Sequence, residues 1–558
     1  MVHGSMAIVL HAHLPWVRHP EHEHFLEEEW LYEAVTEAYL PLVTLMRRWA
    51  DEGVPFKLSL SLSPTLVAML QDELLRKRCD RYLEDLSHLV DAELKRTAGD
   101  GHLQYLAGHY RERLDDVRRQ WQALGGELVP AFARLQEQGH LDLMTCAATH
   151  AYLPLHQTHP QAVWAQLKVA VDDHRRAFGR DPVGIWLPEC AYYPGLDALL
   201  ADAGLRYFVG NAHALTLALP PPRFGTFAPV FCDPSGVAVF GRDLEASRQV
   251  WSRDDGYPSD PTYREFYRDI GFDLDLATVG PFLKPDGVRK YTGIKYHRIT
   301  GATEHKELYD PYWAREKAAE HAADFALRRR AQLQAARGQM DRAPLLVAPY
   351  DAELFGHWWY EGPWWLDGVV RRWAREEVDY PLTHLADYLR GHPNQQLCRP
   401  AQSSWGEEGY HQFWLNAANE WLYPHLHKAA ERMVTLAQRF PRADGLPRRA
   451  LNQAARELLL AQSSDWAFIL RTGTMVDYAA RRVRSHLRRF TQLYQQLLGS
   501  VAPRPEDRLA LSSEFPFADA TDAAPAVLDE AWLSRLESAD TLFPTLDYRV
   551  FRGPRSTP

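Results

Sequence analysis

Apolar residues along this chain cluster into short runs separated by longer stretches with helical spacing. Seven runs have strand character: Ala7–Leu10, Phe56–Ser61, Leu141–Cys146, Val183–Leu187, Tyr207–Gly210, Val237–Arg242 and Leu345–Pro349. Between them, segments such as Leu31–Ala50, Leu114–Gln138 and Ala162–Phe178 repeat their apolar positions with the period of a helix. Strand then helix, repeated, predicts a parallel α/β architecture. Polar residues stand just past the C-terminal ends of several runs. His11 and His13 follow the first, His150 the third, Glu189 the fourth and Asp351 the last. That edge is where a closed barrel of parallel strands builds its active site. A doubly wound open sheet is the alternative, but no Gly-x-Gly-x-x-Gly follows any run.

Two stretches break the alternation. Residues 212–233 carry Pro220-Pro221-Pro222 and little periodicity, which predicts a small inserted loop region, bounded with its flanks at about 194–235. Residues 251–310 are rich in Asp, Tyr, Gly and Lys and read as a long excursion over the barrel mouth. Past residue 400 the pattern turns helical, over Asn416–Phe440, Arg448–Gln462 and Thr474–Leu498. The last of these has an apolar stripe of Val483, Leu487, Phe490, Tyr494 and Leu497. Its arginines (481, 482, 484, 488 and 489) are expected on a solvated face. The expected division is a catalytic barrel over 1–400 and a helical domain over 401–558 that contributes to the cleft. Residues 503–530, rich in Ala, Pro and Asp, are expected to be partly loose.

Composition narrows the function. At 558 residues, 46% hydrophobic and 24% charged, the chain has material for a large core and more than one domain. A net charge of −10 leaves no basic face for phosphates, which argues against nucleic acid or anionic membrane as the main partner. The five cysteines (79, 146, 190, 232 and 398) contain no Cys-x-x-Cys, so neither a zinc ribbon nor a disulfide framework is expected. No signal-peptide pattern and no long apolar run is seen, and the protein reads as cytoplasmic, with its oligomeric state open. The 18 tryptophans are an unusual load. They are expected to divide between core packing and sugar contacts, with Trp358, Trp405 and Trp414 as the candidate contacts.

The candidate chemistry lies in two carboxylates set among aromatic residues at strand ends. Glu189 stands in Trp186-Leu187-Pro188-Glu189, ahead of Tyr192 and Tyr193; Asp351 stands in Tyr350-Asp351-Ala352-Glu353-Leu354-Phe355-Gly356-His357-Trp358-Trp359. An isolated Glu at a strand end is ordinarily an ion-pair partner, and an Asp there a helix cap. Two such acids in an aromatic-walled cleft are what glycosidic bond chemistry needs. His11 and His13 have strand spacing and can face one side, with His150 and His357 near them. Such a set can donate to sugar hydroxyls or hold a metal ion.

At these motifs the chain resembles glycoside hydrolase family 57, in particular its 1,4-α-glucan branching enzymes. The resemblance rests on His11-Ala12-His13-Leu14-Pro15, Ala148-Thr149-His150, Trp186-Leu187-Pro188-Glu189, the Tyr350–Trp359 motif and Ser464-Asp465-Trp466, with an echo at Phe543-Pro544 and Asp547. It implies a (β/α)7 barrel, Glu189 as nucleophile and Asp351 as general acid and base of a retaining mechanism, and no catalytic metal or cofactor. His11, His13 and His150 would line the site of the cleaved glucose. Arg242, Trp251, Ser259, His357, Trp358, Trp405, Trp414 and Asp465 would contact the α-glucan. Two departures from the pattern stand out. Residues 212–239 contain no tyrosine and are short where these branching enzymes often carry a long covering loop, which would admit water. Ser259 replaces an expected glycine.

Three other readings compete with a branching transglycosylase. An amylase-like hydrolase would follow from the short loop. A metal-dependent carbohydrate deacetylase would use the two imidazoles as ligands. A glucan-binding scaffold would do without Glu189.

Overall fold

The computed structural model describes residues 2–252, 254–284, 287–499 and 527–554. Most of the stretch expected to be loose, 503–530, lies outside the described residues. The sheet has nine strands: β1 (Ser5–Ala12), β2 (Leu58–Leu62), β3 (Leu141–Cys146), β4 (Gly184–Trp186), β5 (Tyr207–Gly210), β6 (Val230–Cys232), β7 (Ala238–Gly241), β8 (Leu345–Asp351) and β9 (Leu397–Cys398). Their order is β8-β1-β2-β3-β4-β5-β7-β6-β9.

Seven of these strands, from β8 through β7, run parallel. They coincide with the seven apolar runs. Residues Met6 to Leu10 of β1 are fully buried, as in a strand covered on both faces. The ring closes after β7, where the backbone N–H of Asp243 donates to the Val347 carbonyl of β8 at 2.9 Å. Lower down, antiparallel β6 sits in the seam. It pairs with β7, and Phe227 just before it accepts from the Leu345 N–H at 2.8 Å. The result is a (β/α)7 barrel pried open on one side at its base.

Helices occupy the outer ring where the spacing placed them, with three corrections. The segment 114–138 is two helices, Gly101–Ala123 and Leu128–Glu137. Gly125 and Gly126 between them take positive φ (62° and 70°), which ends the first helix. The span 194–235 is not an insertion throughout, because the Leu196–Asp202 helix and β5 within it belong to the barrel. The strands β6 and β9, of three and two residues, were not foreseen.

The 251–310 excursion holds short helical turns around a buried carboxylate. Asp269 accepts from the N–H groups of Gly271, Thr292 and Gly293 at 2.8–3.0 Å and from the Thr292 hydroxyl at 2.8 Å. Beyond β9 the chain forms the helices Leu422–Arg439, Gly445–Ala461, Ser464–Thr472, Val476–Gly499 and Glu530–Ala539. The Val483–Leu497 stripe is buried as expected. Two arginines beside it are not on a solvated face. Arg482 donates to the Trp16 carbonyl at 3.1 Å, and Arg489 to Asp540 at 3.1 Å. Asp540 also accepts from the Trp16 indole at 2.9 Å, so the end of the chain is fastened to its beginning. Among the described residues, no helix is long and apolar enough to cross a membrane.

Candidate active site

The rim at the C-terminal ends of β1, β2, β3, β4 and β8 gathers the polar residues. Register places His11 level with Ser61 on one neighbouring strand and Asp351 on the other. The strand β2 alternates Leu and Ser, and the serines serve the histidines. His11 Nδ1 is hydrogen-bonded to Ser61 Oγ at 3.2 Å and His13 Nδ1 to Ser63 Oγ at 2.8 Å. His150 closes the group. Its Nε2 lies 3.0 Å from His11 Nε2, and its ring stacks on His13 with centroids 3.8 Å apart. His11 also lies flat against Trp186 at 4.9 Å.

The helical part of the chain completes this cluster. His13 Nε2 is hydrogen-bonded to Asp465 Oδ2 at 3.0 Å, and His150 Nδ1 to Ser464 Oγ at 2.8 Å. Burial lowers the pKa of His11 and His150, helped by the neighbouring imidazoles, so both rings are neutral. Burial would raise the Asp465 carboxyl, but His13 outweighs it and holds the group at about 2. The neutral His11 and His150 rings and the Asp465 anion paired with His13 form one polar cluster at the rim.

Glu189 follows Pro188 and takes a left-handed backbone, φ 63° and ψ 23°. A non-glycine residue held there is strained, which such sites tolerate when the surroundings fix it. Trp405 provides the restraint. Its N–H donates to the Glu189 carbonyl at 2.9 Å, and its indole N–H to Glu189 Oε2 at 2.7 Å. Ser464 Oγ lies 3.4 Å from Oε1. Burial lifts the Glu189 carboxyl to about 7, against the pull of the Trp405 and Ser464 donors.

Asp351 begins a short helical turn without capping it through its side chain. Its carboxyl is therefore not consumed by the local backbone. Glu353, two residues on, is consumed: it accepts the His13 backbone N–H at 3.0 Å and the Tyr39 hydroxyl. Burial pushes the Asp351 carboxyl well up, and the nearby Glu353 and Glu189 charges push it further, opposed only by Arg242. The two acids thus differ. Glu189 has donors that favour its anion, whereas Asp351 is surrounded mainly by burial and like charge, so Asp351 holds its proton more tightly than Glu189 does.

Aromatic rings wall the same cleft. The Trp405 ring lies 6.4 Å from Trp251 at an interplanar angle of 21°, and Trp251 meets Trp358 edge-on at 5.9 Å. Trp251 and Trp358 are each 43% exposed, so ring surface is open to a ligand. The Arg242 guanidinium sits 5.6 Å from the Trp405 ring, and its Nε donates to Ser247 at 2.6 Å.

Three expected contacts are not in this set. Trp414 is buried, stacked on Tyr152 at 4.5 Å and packed under Gly406, where a Cβ would come within 2.4 Å of the ring. It supports the Trp405 turn from behind. His357 turns to Glu37, with Nδ1 2.6 Å from the carboxylate. Ser259 donates its hydroxyl to the Gly256 carbonyl at 2.7 Å and stabilises its own turn. Conversely, Ser61 and Ser63 were not singled out, and Ser464 stood only as part of the Ser464-Asp465-Trp466 motif. The period-two serines of Leu58-Ser59-Leu60-Ser61-Leu62-Ser63 were the available signal, since polar residues on one face of a buried strand need partners.

Among the described residues three triplets bring ligand-type atoms within 4.8 Å of one another: His13, His150 and Asp465, and His11, Cys146 and His150 at this site, and Glu457, His486 and Asp540 in the helical part of the chain. Both nitrogens of each of the three imidazoles at this site already have hydrogen-bond partners within the cluster. A cation or a sugar hydroxyl at these nitrogens would have to displace a partner in this network.

Comparison with known proteins follows the same lines. Residues 7–277 match glycosyl hydrolase family 57, and residues 425–551 match the C-terminal region of 1,4-α-glucan branching enzymes. A 1,4-α-glucan branching enzyme of Thermococcus kodakarensis is 34% identical over 89% of this chain and 74% of its own length. The crystal structure of an α-amylase from Thermotoga maritima is 40% identical, covers 99% of both chains and superposes with a TM-score of 0.88. That of a branching enzyme from Pyrococcus horikoshii is 32% identical, covers 100% of this chain and 98% of its own, and has a TM-score of 0.85.

Proposed function

Because the chain belongs to glycoside hydrolase family 57, we propose that it is a retaining α-glucan transglycosylase. It cleaves α-1,4 bonds and forms α-1,6 branches, with Glu189 as nucleophile and Asp351 as general acid and base. The observation that carries the role assignment is the unlike setting of the two carboxyls: donors on Glu189, like charge and burial on Asp351.

In this reading the glucan lies along the tryptophan wall with one glucose against the imidazoles and Asp465. Asp351 gives its proton to the α-1,4 glycosidic oxygen while Glu189 attacks the anomeric carbon. The Trp405 indole keeps the attacking oxygen aimed. The departing chain carries away the proton, and Asp351 becomes a base. It then takes the proton from the 6-hydroxyl of an acceptor glucan, which displaces Glu189 and forms the branch. The double displacement needs carboxyls about 5–5.5 Å apart, and it regenerates both groups.

The likeness to an α-amylase favours a second reading, net hydrolysis, and so does the span between β5 and β7. Residues 211–237 contain no tyrosine and form one short helix and β6. Water that reaches the glycosyl-enzyme would compete with the acceptor hydroxyl. Incubation with amylose separates the readings when new α-1,6 linkages by proton NMR and new reducing ends are followed together. Many branches with few reducing ends support the transglycosylase. Reducing ends without branches replace it with a hydrolase.

A further inference from the structure

The aromatic wall does not stop at the cleft. From Trp358, ring contacts continue to His357 at 6.1 Å, to Phe266 at 5.7 Å and to Tyr291 at 5.9 Å. They end in two rings on the surface of the 251–310 excursion. Tyr267 meets Phe266 edge-on at 5.2 Å, and Phe272 meets Tyr291 at 5.0 Å. Tyr267 is 64% exposed and Phe272 45%. Neither ring packs into the core, yet both belong to a rigid substructure. The buried Lys295 ammonium lies 4.3 Å from the Phe266 ring centre and 4.4 Å from that of Tyr291, and Asp269 ties the two strands of the loop together.

We propose that this ring path is a binding track for the α-glucan chain that enters as acceptor, with Tyr267 and Phe272 as its outer contacts. The argument rests on the transglycosylase reading and on continuity. The path begins at Trp405 and Trp251 beside Glu189 and passes through His357 and Trp358, the loop that follows Asp351. Asp351 is the group that meets the leaving chain and then the acceptor hydroxyl, so whatever continues from its loop lies on the acceptor side. The imidazole and Asp465 cluster lies on the other oxygen of Glu189, by Ser464. An α-1,4-glucan suits such a track because each glucose offers apolar C–H faces for rings and a hydroxyl edge for polar groups. The His357–Glu37 pair, with 22% and 17% of the side chains exposed, supplies hydrogen-bonding partners midway.

The test is the double variant Tyr267→Ala with Phe272→Ala, in the full-length protein. Electrophoresis through gels with and without glycogen reads binding, and initial rates on long amylose give KM. Burying an exposed ring face against sugar corresponds to about tenfold in affinity. Loss of retardation by glycogen and a rise in KM of about tenfold are expected, with an unfolding temperature like that of the parent. Unchanged retardation and KM overturn the proposal. If the parent made no branches but its retardation still depended on the two rings, glucan binding by the rings would stand, and the acceptor assignment would fall with the transglycosylase reading.

Discussion

Trp405 holds Glu189 at both ends: its backbone N–H donates to the Glu189 carbonyl at 2.9 Å and its indole N–H to the carboxylate at 2.7 Å. One residue therefore fixes both the strained backbone and the direction of the Glu189 carboxylate. Trp405→Phe keeps the ring and removes the indole donor. A hydrogen bond to a charged group corresponds to about 10- to 100-fold, and kcat should fall by that factor. Since the donor favours the anion, its loss raises the Glu189 pKa above about 7. The acidic limb of the kcat/KM profile then moves to higher pH, whereas a merely structural defect would lower the curve without moving it.

The parent enzyme should itself show a two-limbed profile. Glu189 must lose its proton, which occurs near pH 7, and Asp351, held well above the usual carboxylate range, must keep its own. Activity on amylose should rise through about pH 7 and fall at higher pH. Full activity retained at pH 5 would contradict the assignment.

Glu189→Gln should abolish turnover by about 10⁴-fold or more while amylose binding persists. It should also stabilise the fold at alkaline pH. The folded-state pKa of Glu189 is raised from 4.5 to about 7. Stability is thus greatest below 4.5 and is lost as pH climbs through about 7, amounting to about 3 kcal/mol. Glutamine does not ionise. Thermal unfolding at pH 8 should show the variant more stable than the parent, with the gap closing near pH 4.

Ser464→Ala removes the hydroxyl between His150 and Glu189 while leaving Asp465 in place. A decrease in kcat of about tenfold is expected, with a smaller change in KM. Asp465→Asn should raise KM more than it lowers kcat if the cluster holds a glucose, because it removes the anion paired with His13.

Prolonged treatment with EDTA should leave the rate on amylose unchanged. Activity lost and restored by zinc would reassign His13, His150 and Asp465 as ligands.

Much of this arrangement was legible before the structure. Seven apolar runs gave seven barrel strands because a parallel strand buried on both faces must be apolar nearly throughout. The acids and histidines were legible because they fall just past those runs. What could not be read depended on contacts far along the chain. Nothing local distinguishes Trp414, buried against Tyr152, from Trp405, which donates to Glu189. Nothing near Glu353 shows that the His13 N–H and Tyr39 occupy it and leave Asp351 free. The strands β6 and β9 are too short to carry a period, and the left-handed conformations of His150 and Glu189 involve no glycine that would announce them.

Glu189 is aimed by Trp405 and Ser464, and His13 is held by Asp465, all drawn from the last third of the chain. Asp540 then fastens that third to Trp16. A ribosome-bound chain whose barrel has emerged, but whose remaining helices have not, possesses every strand and both acids and still lacks a working centre. On the proposed roles of Glu189 and Asp351, a product truncated before Trp405 is expected to be inert toward α-glucan.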